Sequence, residues 1–164
     1  MSYNPVLLNM TAQRWHALMK VLADAGAGER ESGAFLLGRQ LNGQREVHNW
    51  LPYHLADPTS LNYDYVRLGP AAFSRLWERC QILELEVVAD IHTHPRGPQQ
   101  SPSDRAHPMI AIAGHLALIA PHFAQGVIGT DAISVNRYLG SGRWESFLGQ
   151  AAAARIHLEA AVER

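Results

Sequence analysis

The stretch that most constrains this chain runs from residue 86 to residue 108. An apolar, partly β-branched run, Glu86-Val87-Val88-Ala89-Asp90-Ile91, leads into His92-Thr93-His94-Pro95. Side chains two apart on a strand share a face, so both imidazoles can converge on one point; Pro95, with no amide hydrogen for a ladder, ends the strand. Gly97 and Pro98 supply a turn, and Ser101-Pro102-Ser103-Asp104 has the form of a helix start, with a serine cap, a first-turn proline and an acidic residue placed to bond back to the cap. Two imidazoles, one carboxylate and an open fourth position are the donor set of a catalytic zinc site. His92, His94 and Asp104 are therefore read as ligands of one Zn2+. Taken singly they have plainer uses, as surface histidines and a capping carboxylate, and it is their order that favours the metal. Capping and ligation are compatible, because a carboxylate has two oxygens.

Composition narrows the field further. Cys80 is the single cysteine, which excludes an internal disulfide and a thiolate-rich structural metal site. The net charge is -1, with no basic run longer than two residues, so the counterion-release drive for nucleic-acid binding is missing and nucleic acid is not an expected partner. No apolar stretch approaches the roughly 20 residues of a membrane span. The first residues lack the pattern of a secretory signal, so a cytoplasmic protein with no membrane association is expected.

The remaining pattern predicts alternating helices and strands. A short apolar run at Val6–Leu8 precedes Thr11, which can cap a helix carrying Trp15, Leu18, Met19 and Leu22 at helical spacing until Gly26 and Gly28 stop it. Residues 34–41 and 44–51 form a hairpin about Asn42-Gly43, a dipeptide suited to a type I′ turn. Residues 52–62 are a loop, followed by a short strand with Tyr63, Tyr65 and Arg67. Gly69-Pro70 opens a helix whose apolar stripe is Phe73, Leu76, Trp77, Cys80 and Leu83, which makes Cys80 a core residue. Strands are expected at 86–92, 115–120, 132–139 and 143–148, the last two joined at Ser141-Gly142, and the alanine-rich 150–163 should be helical. The sum is a layered α/β or α+β domain around a mixed sheet.

The order His-x-His-Pro, loop, Ser-x-x-Asp, with a separate upstream glutamate, resembles the JAMM (MPN-plus) zinc metallopeptidase signature. It is most similar to compact prokaryotic JAB-type members associated with ubiquitin-like conjugation, where His-Thr-His-Pro and Gln-Ser-x-x-Asp-Arg recur. Glu31-Ser32-Gly33-Ala34-Phe35-Leu36-Leu37-Gly38 is similar to the family's upstream segment, and the order of elements extends the likeness over nearly the whole chain. The resemblance implies a JAMM/MPN fold over residues 1–164, cytidine-deaminase-like, with a mixed curved sheet flanked by helices. It implies Zn2+ on His92, His94 and Asp104, Glu31 as general base, and Ser101 as donor to the developing oxyanion. It also implies a peptide or isopeptide bond at the C-terminal tail of a ubiquitin-like modifier as substrate. The expected partners are that modifier or its conjugates and the modifier-activating and conjugating enzymes of the same pathway. On the residues alone Glu29 equals Glu31 as a base. The loop from His94 to Asp104 is one residue shorter than the commoner family spacing; should Asp104 not reach, His107 or Ser103 would replace it.

Rival readings are weaker. Amidohydrolase and phosphoesterase barrels also use Asp-x-His-x-His strands but need about 250 residues. Zinc deaminases need a Pro-Cys-x-x-Cys that a chain with one cysteine cannot supply. No serine sits in a Gly-x-Ser-x-Gly elbow. The remaining alternative is a non-catalytic MPN-fold binding or scaffold module, against which stands the presence of Glu31, His92, His94, Ser101 and Asp104 together. Among the other histidines, His107 and His115 are near enough in sequence for an outer contact, whereas His16, His48, His54, His122 and His157 have no such support.

Overall fold

The fold was taken from a computed structural model, which describes residues 4–60 and 68–160. Thr11 caps the first helix, α1 (Ala12–Gly26), its hydroxyl accepting from the Arg14 amide at 3.1 Å. The apolar face of α1, Trp15, Leu18, Met19 and Leu22, is buried. The helix ends with Ala27, rather than a glycine, in the left-handed conformation at φ 54°. The hairpin follows as β2 (Gly33–Leu41) and β3 (Gln44–Pro52), with Asn42 and Gly43 at φ 52° and 76°. Positive φ at both positions is what the type I′ turn requires. Ser141 and Gly142 repeat the device between β6 (Ser134–Gly140) and β7 (Arg143–Phe147).

Helix α3 (Pro70–Leu83) buries Ala72 and Leu76 and packs Phe73, Cys80 and Leu83 against the core, but Trp77, one position beside that stripe, is 53% exposed. It leads to β4 (Glu86–Thr93) and β5 (Leu116–Ala120), and the short helix α4 (Pro102–Ala106) lies between them. With β1 (Leu8–Thr11) and β8 (Ile156–Glu159) the strands form one mixed sheet in the order β7-β6-β5-β4-β2-β3-β1-β8. β4 is parallel to β5 and antiparallel to β2, so the strand expected to carry the ligands lies in the middle of the sheet.

The sheet buries both faces. Ala34, Leu36, Ile91 and Leu118 join α1 in one core, while Phe35 and Leu37 join Tyr53, Ala56, Ala72 and Leu76 in the other. Alternation along β2 and β4 thus sends Ile91 to the α1 side and leaves Asp90 and His92 on the side of α3.

Two expectations are corrected. Residues 150–163 do not form one helix: α5 is a single turn, Gln150–Ala153, after which β8 pairs in parallel with β1 from Leu8↔Ile156 to Thr11↔Glu159. Alanine propensity is a small local preference, and pairing the second edge of β1 while burying Ile156 outweighs it. Residues 53–56, expected as loop, form a one-turn helix, α2 (Tyr53–Ala56), because Tyr53 and Ala56 find buried places in the α3-side core. His54 therefore lies on a helix and His157 on a strand. The first strand is Leu8–Thr11, slightly later than the Val6–Leu8 run. The strand expected at Tyr63–Arg67 falls outside the described residues. Among the described residues no helix is long and apolar enough to cross a membrane.

Candidate metal centre

The end of β4 presents both histidines toward one point, their Nε2 atoms 3.1 Å apart. Ser101 caps α4: its hydroxyl accepts from the Asp104 amide at 3.0 Å, and Asp104 Oδ2 accepts from the Ser101 amide at 2.8 Å. This reciprocal box sets the rotation of Asp104, whose Oδ2 lies 3.0 Å from His94 Nε2 and whose Oδ1 lies 3.3 Å from His92 Nε2. Capping and convergence on the histidines occur together. The shorter loop does not keep Asp104 away; Ser103 and His107 line the same cleft but are not members of the cluster of possible ligand atoms that His92, His94 and Asp104 form.

The spacing can be compared with what an ion demands. Around a tetrahedral zinc with ligands at about 2.0–2.2 Å, neighbouring donor atoms lie about 3.3–3.6 Å apart. The two Nε2 atoms stand 3.1 Å apart and each has one Asp104 oxygen within 3.0–3.3 Å, Oδ1 for His92 and Oδ2 for His94, while one ligand atom from each of the three residues falls within 4.8 Å of the others, so an ion could be taken up by small side-chain adjustments. Two neutral imidazoles and a carboxylate also match zinc in chemical type.

Glu31 lies just before β2, which pairs with β4 at Gly33↔His92, so the ladder itself carries Glu31 to the His92 end of β4. It lines the same cleft as His92, His94, Ser101 and Asp104, whereas Glu29 is exposed on the preceding turn and does not line it. Burial raises the Glu31 carboxyl above the ordinary range; His92 and His94 pull it down and Asp104 pushes it up, and the net direction is upward. For Asp104, burial opposes ionisation, but hydrogen bonds from His92 and His94 outweigh it and hold the carboxyl far below the usual range. Burial disfavours a charged His94, yet the Asp104 hydrogen bond and charge, helped by Glu31, move its pKa upward.

Several supports could not be read from the sequence. Thr93, between the two histidines, faces the other side of the sheet and is fully buried. Its hydroxyl accepts from the Ser32 amide at 2.9 Å, and its own amide donates to the Ser32 carbonyl at 2.9 Å. Ser32 in turn donates its hydroxyl to the Leu22 carbonyl at 2.8 Å, fixing the segment to the end of α1. A Cβ on Gly33 would collide with the Tyr53 ring and come within 2.6 Å of the Ile91 carbonyl oxygen, so this position beside Ser32 requires glycine. Asp90, two residues before His92 on the same face, is 2% exposed and accepts from His115 Nε2 at 2.6 Å. The nearby Tyr53 phenol is pushed well above its ordinary pKa, by burial first and by the Asp90 carboxylate second.

The site opens into a cleft of about 840 Å³ with apolar walls from Tyr53, Leu68, Phe73, Met109 and Trp144. His16, His48, His54, His122 and His157 do not line it. His115 acts through Asp90, and His107 reaches only the cleft lining, its ring contacting the Ser103 carbonyl at 3.2 Å.

A family model described as prokaryotic homologs of the JAB domain matches residues 12–126 of this chain, which takes in Glu31, both histidines, Ser101 and Asp104. The chain belongs to this prokaryotic JAB-domain family. The layered fold with its eight-stranded mixed sheet agrees with that membership. The chain is also similar to the solution structure of a protein from Desulfitobacterium hafniense, at 15% identity and a TM-score of 0.66, with 96% of each chain covered. A solution structure of a protein from Salinibacter ruber is similar at 19% identity and a TM-score of 0.58, covering 84% of this JAB-domain chain and 86% of the other. At these identities the likeness is one of fold.

Proposed function

We propose that this JAB-domain protein is a zinc-dependent peptidase that cleaves after the C-terminal tail of a ubiquitin-like modifier, releasing it from a conjugate or a precursor extension. The observation that carries the reading is the placement of a partly buried carboxyl with a raised pKa, Glu31, in one cleft with the His92, His94 and Asp104 cluster. A zinc ion on these three side chains would polarise the scissile carbonyl and make water a better nucleophile near neutral pH.

The protein's own groups supply the rest. Glu31 takes the proton of the attacking water and returns it to the leaving amine, a task helped by a pKa shifted toward neutrality. Ser101 Oγ accepts from the Asp104 amide, so its own hydrogen remains to donate to the carbonyl oxygen as negative charge develops there. Asp104 is held by the Ser101 amide while it fixes the histidine pair. The apolar walls of the cleft exclude water from the peptide flanking the scissile bond. β4 has a neighbour on each side, so an extended tail reaches the site over the sheet face, through the cleft, rather than by adding to the ligand strand.

The test is a ubiquitin-like modifier from the same genome carrying a C-terminal extension, incubated with zinc-loaded protein and analysed by product mass. Cleavage after the modifier tail is expected, and Glu31→Gln should keep zinc while losing about 10²–10⁴-fold in turnover. Undiminished turnover in that variant would remove Glu31 from the mechanism, and no cleavage of any such fusion would remove the substrate assignment.

A further inference from the structure

The metal ligand Asp104 sits on a helix of only five residues, reached through a loop without ladder pairing, and neither is rigid by itself. Beside the His122 amide, which donates to the Arg96 carbonyl at 3.0 Å, two of the hydrogen bonds that hold them come from β6 and β7, some thirty to fifty residues later in the chain. Ser134 Oγ, fully buried at the start of β6, donates to the Pro98 carbonyl in the middle of the loop at 2.6 Å. Proline has no amide hydrogen, so this carbonyl is its only backbone hydrogen-bonding group.

The direction of that bond is enforced by its neighbours. Asn136 Nδ2 lies 3.0 Å from the Ala117 carbonyl, which can only accept, so the amide must be oriented with its nitrogen on that side. The same nitrogen donates to Ser134 Oγ at 2.9 Å, and Asn136 Oδ1 accepts from Ser146 Oγ at 2.7 Å. Ser134 is therefore already an acceptor, and its one hydrogen is directed to Pro98. At the other end of α4, Trp144 Nε1 on β7 donates to the Arg105 carbonyl at 3.0 Å, with its ring braced edge-on against Tyr138 at 5.0 Å between centroids. The two anchors bracket Asp104, six residues after Pro98 and one before Arg105.

We propose that Ser134 and Trp144 are positioning residues for the metal: the β6–β7 hairpin, through hydrogen bonds to Pro98 and Arg105, sets where the Asp104 carboxylate stands relative to His92 and His94. The proposal rests on reading those three side chains as the metal site. It assigns to the hairpin a role in metal affinity that no local motif around the ligands carries.

The experiment is a double-mutant comparison of zinc affinity, by competition with a chromophoric chelator, on the full-length chain. Ser134→Ala and Trp144→Phe are each made in the natural protein and in an Asp104→Asn background, where the ligand is weakened but the cap retained. In the natural background each should weaken zinc binding by about tenfold, the low end of what losing an outer support of a metal ligand costs. With Asp104→Asn the same changes should shift affinity less than twofold, because they act through that carboxylate. Cobalt(II) bound to the singly substituted proteins should show a changed visible spectrum relative to the natural protein. Equal weakening in both backgrounds, or unchanged affinity in both single variants, would overturn the proposal while leaving the metal site intact. A natural protein that takes up no zinc would instead overturn the metal reading, and the proposal with it. Should Ser134→Ala fail to fold, Trp144→Phe, at a partly exposed position, decides the question alone.

Discussion

The Thr93 hydroxyl and the Ser32 amide are joined by a buried hydrogen bond of 2.9 Å that fastens the Glu31 segment to the end of the strand that carries His92 and leads into His94. Because Thr93 points to the opposite face from His92 and His94, it can act as this clamp without entering the cleft. Replacing it tests the connection. Thr93→Val leaves the Ser32 amide unpaired in the core, at about 1–3 kcal/mol of stability. It should also lower hydrolysis with zinc content unchanged, whereas Thr93→Ser keeps the acceptor and should restore most of both. Denaturant unfolding together with metal analysis checks the pair; equal behaviour of the two variants would show that the hydroxyl does not matter.

His92→Ala and Asp104→Ala should each emerge from purification without the roughly one zinc per chain expected of the natural protein, since each removes one donor of a three-residue set. Full zinc occupancy in both, measured by atomic emission, would displace the site.

Acidity should act oppositely on the metal-free and zinc-loaded forms. In the metal-free protein the His94 pKa is raised above its ordinary value near 6.5. The stability it contributes is therefore complete below that value and is lost as pH rises through the shifted one. Asp104, with its pKa depressed, contributes stability above its ordinary value of 3.8 that is lost only as pH falls further. Zinc requires neutral imidazoles, so its stabilisation grows as protons leave. The Tm gained on adding zinc should thus widen as pH rises from the ordinary imidazole value of 6.5 through the raised His94 pKa. A gain that is constant or shrinks across that range, followed by calorimetry, would contradict the arrangement.

Asp90 and His115 form a pair with side chains only 3% and 7% exposed, and removing one member strands the other. Asp90→Ala should cost about 1–3 kcal/mol, the penalty of a buried polar group left without its hydrogen-bond partner, while Asp90→Leu combined with His115→Leu should cost less than the two single changes summed. Additive losses in urea unfolding would mean that the two side chains do not depend on each other.

Ala27 closes α1 in the left-handed conformation, is exposed, and carries a Cβ that this conformation disfavours. Ala27→Gly should raise stability by about 0.5–1 kcal/mol with metal content unaltered. A lower Tm would show that the chain-entropy cost of glycine exceeds the relieved strain.

What the sequence determined by itself was what is local. Thr11 and Ser101 as caps, Asn42-Gly43 and Ser141-Gly142 as turns, and the convergence of His92 and His94 at a proline-terminated strand end all follow from neighbours within a few residues. Their backbone geometry is set by chirality and by short-range hydrogen bonds. The alanine-rich end misled for the same reason: helix propensity is local, whereas the open edge of β1 that recruits Ile156–Glu159 lies some 150 residues away in sequence. The family resemblance already favoured Glu31 over Glu29, but the physical reason lay in the fold, where the pairing of Gly33 with His92 places only one of these two carboxylates in the cleft. Thr93 on Ser32, Ser134 on Pro98 and Trp144 on Arg105 are single hydrogen bonds between distant segments, with no periodicity or motif to announce them. Tertiary structure alone decided them, because a hydrogen bond depends on where two groups meet in space and leaves no trace in the spacing of residues along the chain.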